Sequence, residues 1–298
     1  MSTATFTSAV RPGTPAAPAS PRPRRRFKVT PGGLVIAVLA LFLAVVWLMP
    51  LVWAVLTSIK PEGETTAVPL RWLPLEPTFE AYRTVIAQGN LQQWLVNSVI
   101  ISVLVTALTL VLCVMAAYAF SKTDFPGRKV LFGMFVAGIL VPPQALIVPL
   151  FDEMTFLGLV DTYWGVALPQ VVAPVMIFIL KRFFDAIPRD YEEAARLDGA
   201  GHLRVLWSVV VPMSVPVLAA VGIFTFVQSW NNFLWPFVAT TDPALMTVPV
   251  GLATVQGSYG IMYAQQMASA VVGAIPLLVV FLFFQRQVVR GVTDAGLK

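Results

Sequence analysis

Six predominantly apolar stretches alternate with short polar ones along the chain, at about 34–56, 95–120, 130–151, 163–180, 209–234 and 267–284. A helix needs about 20 apolar residues to cross a hydrocarbon layer of ~30 Å, and each stretch reaches or approaches that length. None of the six cores carries Asp, Glu, Lys or Arg. Pro142, Pro143, Pro149, Pro169, Pro174, Pro216 and Pro276 fall inside them. These prolines would break soluble helices, but in a membrane neighbouring helices can satisfy the freed carbonyls. The pattern predicts an all-α, polytopic membrane protein with six transmembrane helices.

Composition agrees: 57% of the 298 residues are hydrophobic and only 12% are charged, against roughly 25% charged in soluble domains. The basic residues then orient the chain. Arg11, Arg22, Arg24, Arg25, Arg26 and Lys28 precede the first stretch, and further Lys and Arg follow the second, fourth and sixth. Only Lys60, Arg71 and Arg83 of the 20 Lys and Arg fall on the other side. That asymmetry predicts both termini in the cytoplasm, and it accounts for the net charge of +5 without a nucleic-acid partner. The division expected is a disordered basic cytoplasmic tail over 1–28, a first span and outer loop over 29–94, a core of five spans over 95–288, and a cytoplasmic end over 289–298. The first apolar run starts too late and is too long for a cleaved signal. The single cysteine, Cys113, lies in the second run and reads as a small hydrophobe.

One polar stretch asks for a purpose. RDYEEAARLDGAGHLR, Arg189 to Arg204, stands between the fourth and fifth runs. Pro188 suits a first helical turn, and Asp190, Glu192 and Glu193 favour the N-terminal end of the dipole. Glu192 and Arg196 have the spacing of a stabilising pair worth about 0.2–0.5 kcal/mol. Ala194 and Ala195 make a small smooth surface, and Gly199 suits a left-handed helix end. His202 then starts a second helix leading through Pro212 into the fifth run. A short surface helix over about 189–200 can nest in a partner or merely tether two spans. Its physics alone leaves both readings open.

Glu193-Ala194-Ala195, three residues, Gly199, nine residues, then Val209-Val210-Val211-Pro212 resembles the EAA motif of ABC-transporter permeases, with Val at both aliphatic positions. LVNSVIIS in the second run, WNNFLWPFVATTDPALMTVPVGL after the fifth and GAIPLLVVFLFFQRQVVRGVTDAGLK at the end resemble the maltose-type carbohydrate-uptake branch. The resemblance covers about 30–298 and implies the type I importer permease fold in a bacterial inner membrane. It implies a second related permease, two ATP-binding ATPase subunits below, and an external solute-binding protein that delivers sugar. Tyr191, Glu192, Glu193, Ala194, Ala195, Asp198, Gly199 and Pro212 would couple to the ATPase, and the outer segment at 240–252 would face the binding protein. ATP and Mg would be held by the partner ATPase. The chain has no Gly-Lys dipeptide, hence no phosphate-cradling loop, and one histidine with no HExxH or Cys-x-x-Cys. No catalytic residue, metal site or cofactor is expected, and His202 reads as a surface residue.

Polar residues inside lipid need a reason. Asn97, Ser98, Thr106, Gln144 and Gln170 lie in the runs, and Gln228, Ser229, Trp230, Asn231 and Asn232 cluster late in the fifth. Amides beside an aromatic face suit a sugar, so Gln228, Trp230, Asn231 and Asn232 are candidates for the substrate path. The same groups serve equally as interhelical glue, the role expected of Asn97. A permease for glycerol phosphate or another polyol is the nearest alternative. A secondary transporter would need intramembrane carboxylates, and a membrane enzyme would need a nucleophile–base or metal set; the runs contain neither.

Overall fold

A computed structural model describes residues 31–87, 90–255 and 262–296, and every regular element among them is helical. The basic tail at 1–28 and the last two residues lie outside that range. Residues up to Met49 form one compact unit and Pro50–Lys298 a second. Helix α1 (Pro31–Ser58) is apolar and exposed along nearly its whole length, as expected of a surface made for lipid or another helix. Short helices α2 (Glu62–Thr65) and α3 (Glu80–Ala87) follow, and then α4 (Asn90–Lys122), the central helix of the second unit.

The next three apolar runs depart from the expected straight spans. The third is α5 (Arg128–Gly138), a 3-10 turn at Pro143–Leu146 and α6 (Ile147–Phe156), bent by 97°. The fourth is α7 (Tyr163–Val171) and α8 (Pro174–Asp185), bent by 48°. After α9 (Asp190–Leu197) the fifth passes through α10 (His202–Val205), a π turn at Leu206–Val210 and α11 (Val211–Met213). It then bends by 83° at Ser214 into α12 (Val215–Trp230). The cause is local: Pro143, Pro174 and Pro216 each sit at the start of the following segment, where the missing N–H costs least. Short α13 (Leu234–Ala239) and α14 (Val248–Val255) precede α15 (Tyr263–Gly296), which runs well past the expected end of the sixth span at 284. Among the described residues three helices are long and apolar enough to cross a membrane, and up to six spans result if each bent pair counts as one.

Packing centres on α4. Its middle meets α12 where Gly222 faces Leu110 and Thr106; a Cβ there would lie 3.3 Å from Leu110. Toward the 122 end, Cys113, Val114, Ala117, Tyr118 and Phe120 join Leu180, Phe184, Leu206 and Val210 in the largest core cluster. Its Asn90 end is sewn to the segment before α14. Trp94 Nε1 donates to Pro243 O (2.9 Å), Asn97 Nδ2 to Ala244 O (2.8 Å) and Met246 O (2.9 Å), and Val248 N to Ser98 Oγ (2.9 Å). Asn97 Oδ1 also accepts from Tyr163 and Gln93. Asn97 is therefore fully bonded glue. Across this end, the Glu62 carboxylate accepts from Ala264 N at 3.1 Å and caps the start of α15.

Candidate functional site

Helix α9 and its flanks form the first candidate site. Its N-terminal end is held from inside. Glu192 is buried, and its Oε1 lies 2.6 Å from Lys122 Nζ, both side chains being under a tenth exposed. Lys122 is the last residue of α4 and also donates to Ile187 O (2.8 Å). Next to it Ser121 Oγ donates to Asp185 (2.7 Å), which pairs with Lys181 (2.7 Å). One helix end thus grips both the end of α8 and the start of α9. The expected Glu192–Arg196 pair is replaced by this link. A buried carboxylate is tolerated only when a cation and hydrogen bonds replace water, and Lys122 supplies the cation. Arg196 lies instead 3.4 Å from His202 Nδ1.

The other end stops as the sequence leads one to expect. Gly199 has φ +81°, a conformation open to glycine at no steric cost. Gly199 N donates to Arg196 O (2.9 Å) and Ala200 N to Ala195 O (3.0 Å), the bond pair of a Schellman cap. Between these ends the residues divide. Glu192 and Ala195 turn inward, Ala195 onto the large core cluster. Tyr191, Glu193, Ala194, Asp198, Gly199 and, on α11, Pro212 face outward. Leu197 joins them, 89% exposed, a bare leucine that the sequence reading did not single out.

The second candidate, at the end of α12, does not gather into one pocket. Trp230 is buried and stacks on Phe226, with ring centroids 5.9 Å apart. Asn232 Nδ2, just past the end of α12, donates to Gln170 Oε1 (2.9 Å) on α7. Gln228 and Asn231 are the exposed members, Asn231 donating back to Val227 O (2.8 Å). The structure thus leaves Gln228 and Asn231 open to a solute and engages Trp230 and Asn232 in packing.

A third feature escaped sequence reading. Asp161, a non-glycine residue at φ 58° in the turn before α7, accepts from Thr241 N (2.6 Å), Thr241 Oγ1 (2.6 Å) and Asp242 N (3.0 Å). The Thr241 hydroxyl, then the Asp242 amide, hold its carboxyl below the ordinary value of 3.8 against a smaller opposing effect of burial. The available signal was Asp161-Thr162 ahead of a helix, with Thr162 capping Gly165 N (3.0 Å).

Apolar bent helices pack around α4, and a surface helix is anchored to it from within. Residues 109–293 match the family described as the binding-protein-dependent transport system inner membrane component, and the chain belongs to that family. It is 37% identical over 253 residues, 84% of this chain and 89% of the relative, to the sulfoquinovosyl glycerol transport system permease protein SmoH of Agrobacterium fabrum. It is 35% identical over 265 residues, 87% of this chain and 94% of the relative, to the trehalose/maltose transport system permease protein MalG of Thermococcus litoralis. A chain of a bacterial ABC transporter involved in import of the acidic polysaccharide alginate superposes with a TM-score of 0.78 at 25% identity, covering 89% of this chain and 99% of that one. The chain is a multi-pass membrane permease, and its relatives are transport subunits rather than enzymes.

Proposed function

We propose that this chain is one permease subunit of an ATP-driven sugar importer in a bacterial inner membrane, with six spans and both termini in the cytoplasm. It pairs with a second, related permease, two ATPase subunits bind below, and an external binding protein presents the solute. ATP and Mg belong to the ATPase subunits. The relatives' named substrates, sulfoquinovosyl glycerol and trehalose/maltose, support a sugar over glycerol phosphate or another polyol.

The observation that carries the coupling role is the division of α9. Its inward face is fixed to α4 through Glu192 and Lys122, while its outward face presents Tyr191, Ala194 and Leu197 between the carboxylates of Glu193 and Asp198. A loop helix that only tethered two spans would gain nothing from exposing a leucine and a tyrosine. A helix seated in a cleft of an ATPase buries them there. Displacement of the helix by ATP-driven closure of the ATPase dimer then pulls on α4 and α8 through the anchored face.

The test joins recovery and rate. A tagged chain extracted in mild detergent should bring down a second permease and a Walker-type ATPase. Glu193→Lys, a change on an exposed side chain, should abolish stimulated ATPase activity and transport at normal chain abundance. Recovery of the chain alone, or full transport by Glu193→Lys, would overturn the coupling reading.

A further inference from the structure

The non-helical segment at 67–79, between α2 and α3, carries a row of large apolar side chains with nothing over them. Val68 is 95% exposed and Leu73 69%, and Leu70, Leu75 and Phe79 are exposed alongside Trp72. Apolar residues bare to water at this density mark a surface that something covers.

The segment's level along α1 identifies the cover. It does not project away from the membrane domain but folds back along the end of α1. Trp72 meets Trp53 edge to face, with ring centroids 4.9 Å apart. Trp53 lies five residues before the end of α1 at Ser58, roughly 7–8 Å back along the helix at 1.5 Å per residue. The Lys60 ammonium holds the fold from beneath, donating to Arg71 O and sitting 5.0 Å over the Trp53 ring. Leu75 N donates to the Glu64 carboxylate (2.9 Å) and Thr78 N to Ile59 O (2.8 Å). The segment is a strap pinned to the last turns of α1, close to residue 56 where the sequence pattern ends the first span.

Its chemistry fits that place. Pro69, Pro74 and Pro77 have no N–H to leave unpaired, and the Leu75 and Thr78 donors are used within the fold. The chain can therefore approach the acyl boundary at lower cost than ordinary irregular backbone. Trp72 and Arg71 are residue types that sit at headgroup level, with apolar body inward and polar tip outward. We propose that the strap at 67–79 is an interfacial anchor whose leucines rest in the acyl region of the leaflet at the end of α1. Arg71 then lies among the headgroups. A docked binding protein would reach beyond the membrane surface, whereas this strap lies below the end of the span. The leaflet, inner or outer, rests on the topology proposed above; the anchoring itself does not.

The experiment places a nitroxide spin label at Leu70→Cys, Leu73→Cys or Gly63→Cys, each combined with Cys113→Ser. The full chain, with whatever it co-purifies, is reconstituted into phosphatidylcholine–phosphatidylglycerol nanodiscs. Collision broadening by oxygen and by a water-soluble nickel chelate is then compared. The expected result is oxygen access with loss of nickel access at 70 and 73, while exposed Gly63 on α2 is open to nickel. Nickel access at 70 and 73 like that at 63 would place the strap in water or under a removable binding protein and overturn the proposal. Exclusion of both reagents would put it against the second permease and overturn it equally. Either failure leaves the importer reading standing, because neither concerns α9 or the ATPase.

Discussion

Two carboxylates each hold a loop, and they hold it differently. Glu192 fastens the 189–204 loop to α4 through a cation, with both partners removed from water. Asp161 fastens its turn to residues 241–242 through a hydroxyl and two main-chain amides, at an exposed site. A buried pair resists partial breakage, because loss of either member strands a charge in low dielectric. An exposed set of neutral donors can be exchanged for water one bond at a time. The first arrangement suits a part that must move with its helix as one body, and the second suits a part that can let go.

Breaking the buried side should have the largest effect. Glu192→Ala leaves Lys122 buried and unpaired, at a cost of about 3–5 kcal/mol, measured as a fall in the detergent melting temperature together with loss of transport. Exchanging the charges, Lys122→Glu with Glu192→Lys, should recover part of that stability; no recovery would show that packing rather than charge holds the site. Next comes Asn97→Leu, which keeps the γ-branched skeleton but is bulkier, and strands the Tyr163 hydroxyl and the carbonyls of Ala244 and Met246. About 1–3 kcal/mol is expected, read by thermal unfolding. Gly199→Val forces a β-branched residue into the left-handed region at about 1–2 kcal/mol. It should lower transport and ATPase stimulation while abundance holds. At the exposed side, Asp161→Ala should cost about 1 kcal/mol and show as faster amide exchange confined to Thr241 and Asp242. Acid separates the two sides further. Because the Asp161 carboxyl is held below 3.8, its contribution is complete at neutral pH, starts to fade as pH approaches 3.8 and is lost as pH falls through the lowered value. Amide exchange at Thr241 in wild type should therefore be pH-corrected flat from 7 to 5 and rise below about 4.

The same comparison marks what the chain order could tell. Helix α9, its acidic start and its glycine end were legible because each depends on neighbours a few residues away. The Lys122 partner of Glu192 was not, since nothing local distinguishes Lys122 from other basic residues at a membrane edge, and the nearer Arg196 offered a plausible mate. The apolar runs announced spans, but their prolines, which a membrane tolerates, did not announce that the runs at 130–151 and 209–234 would turn by 97° and 83°. Those angles depend on what packs against each half. The amides near the end of α12 looked like one cluster in sequence. Helical rotation and the reach of Gln170 separated them in space.

The cap on α15 has a consequence in time. Glu62 is translated 202 residues before Ala264, the amide it accepts from. At about 5–20 residues per second the ribosome takes roughly 10–40 s to bring the donor. Throughout that interval the first loop has its local contacts, among them Thr65 Oγ1 to the Glu62 carboxylate (3.5 Å), but not its link to the last helix. A chain stalled before residue 264 therefore lacks that one long-range link, while the bonds of Lys60 to Arg71 O, Leu75 N to Glu64 and Thr78 N to Ile59 O need nothing made later.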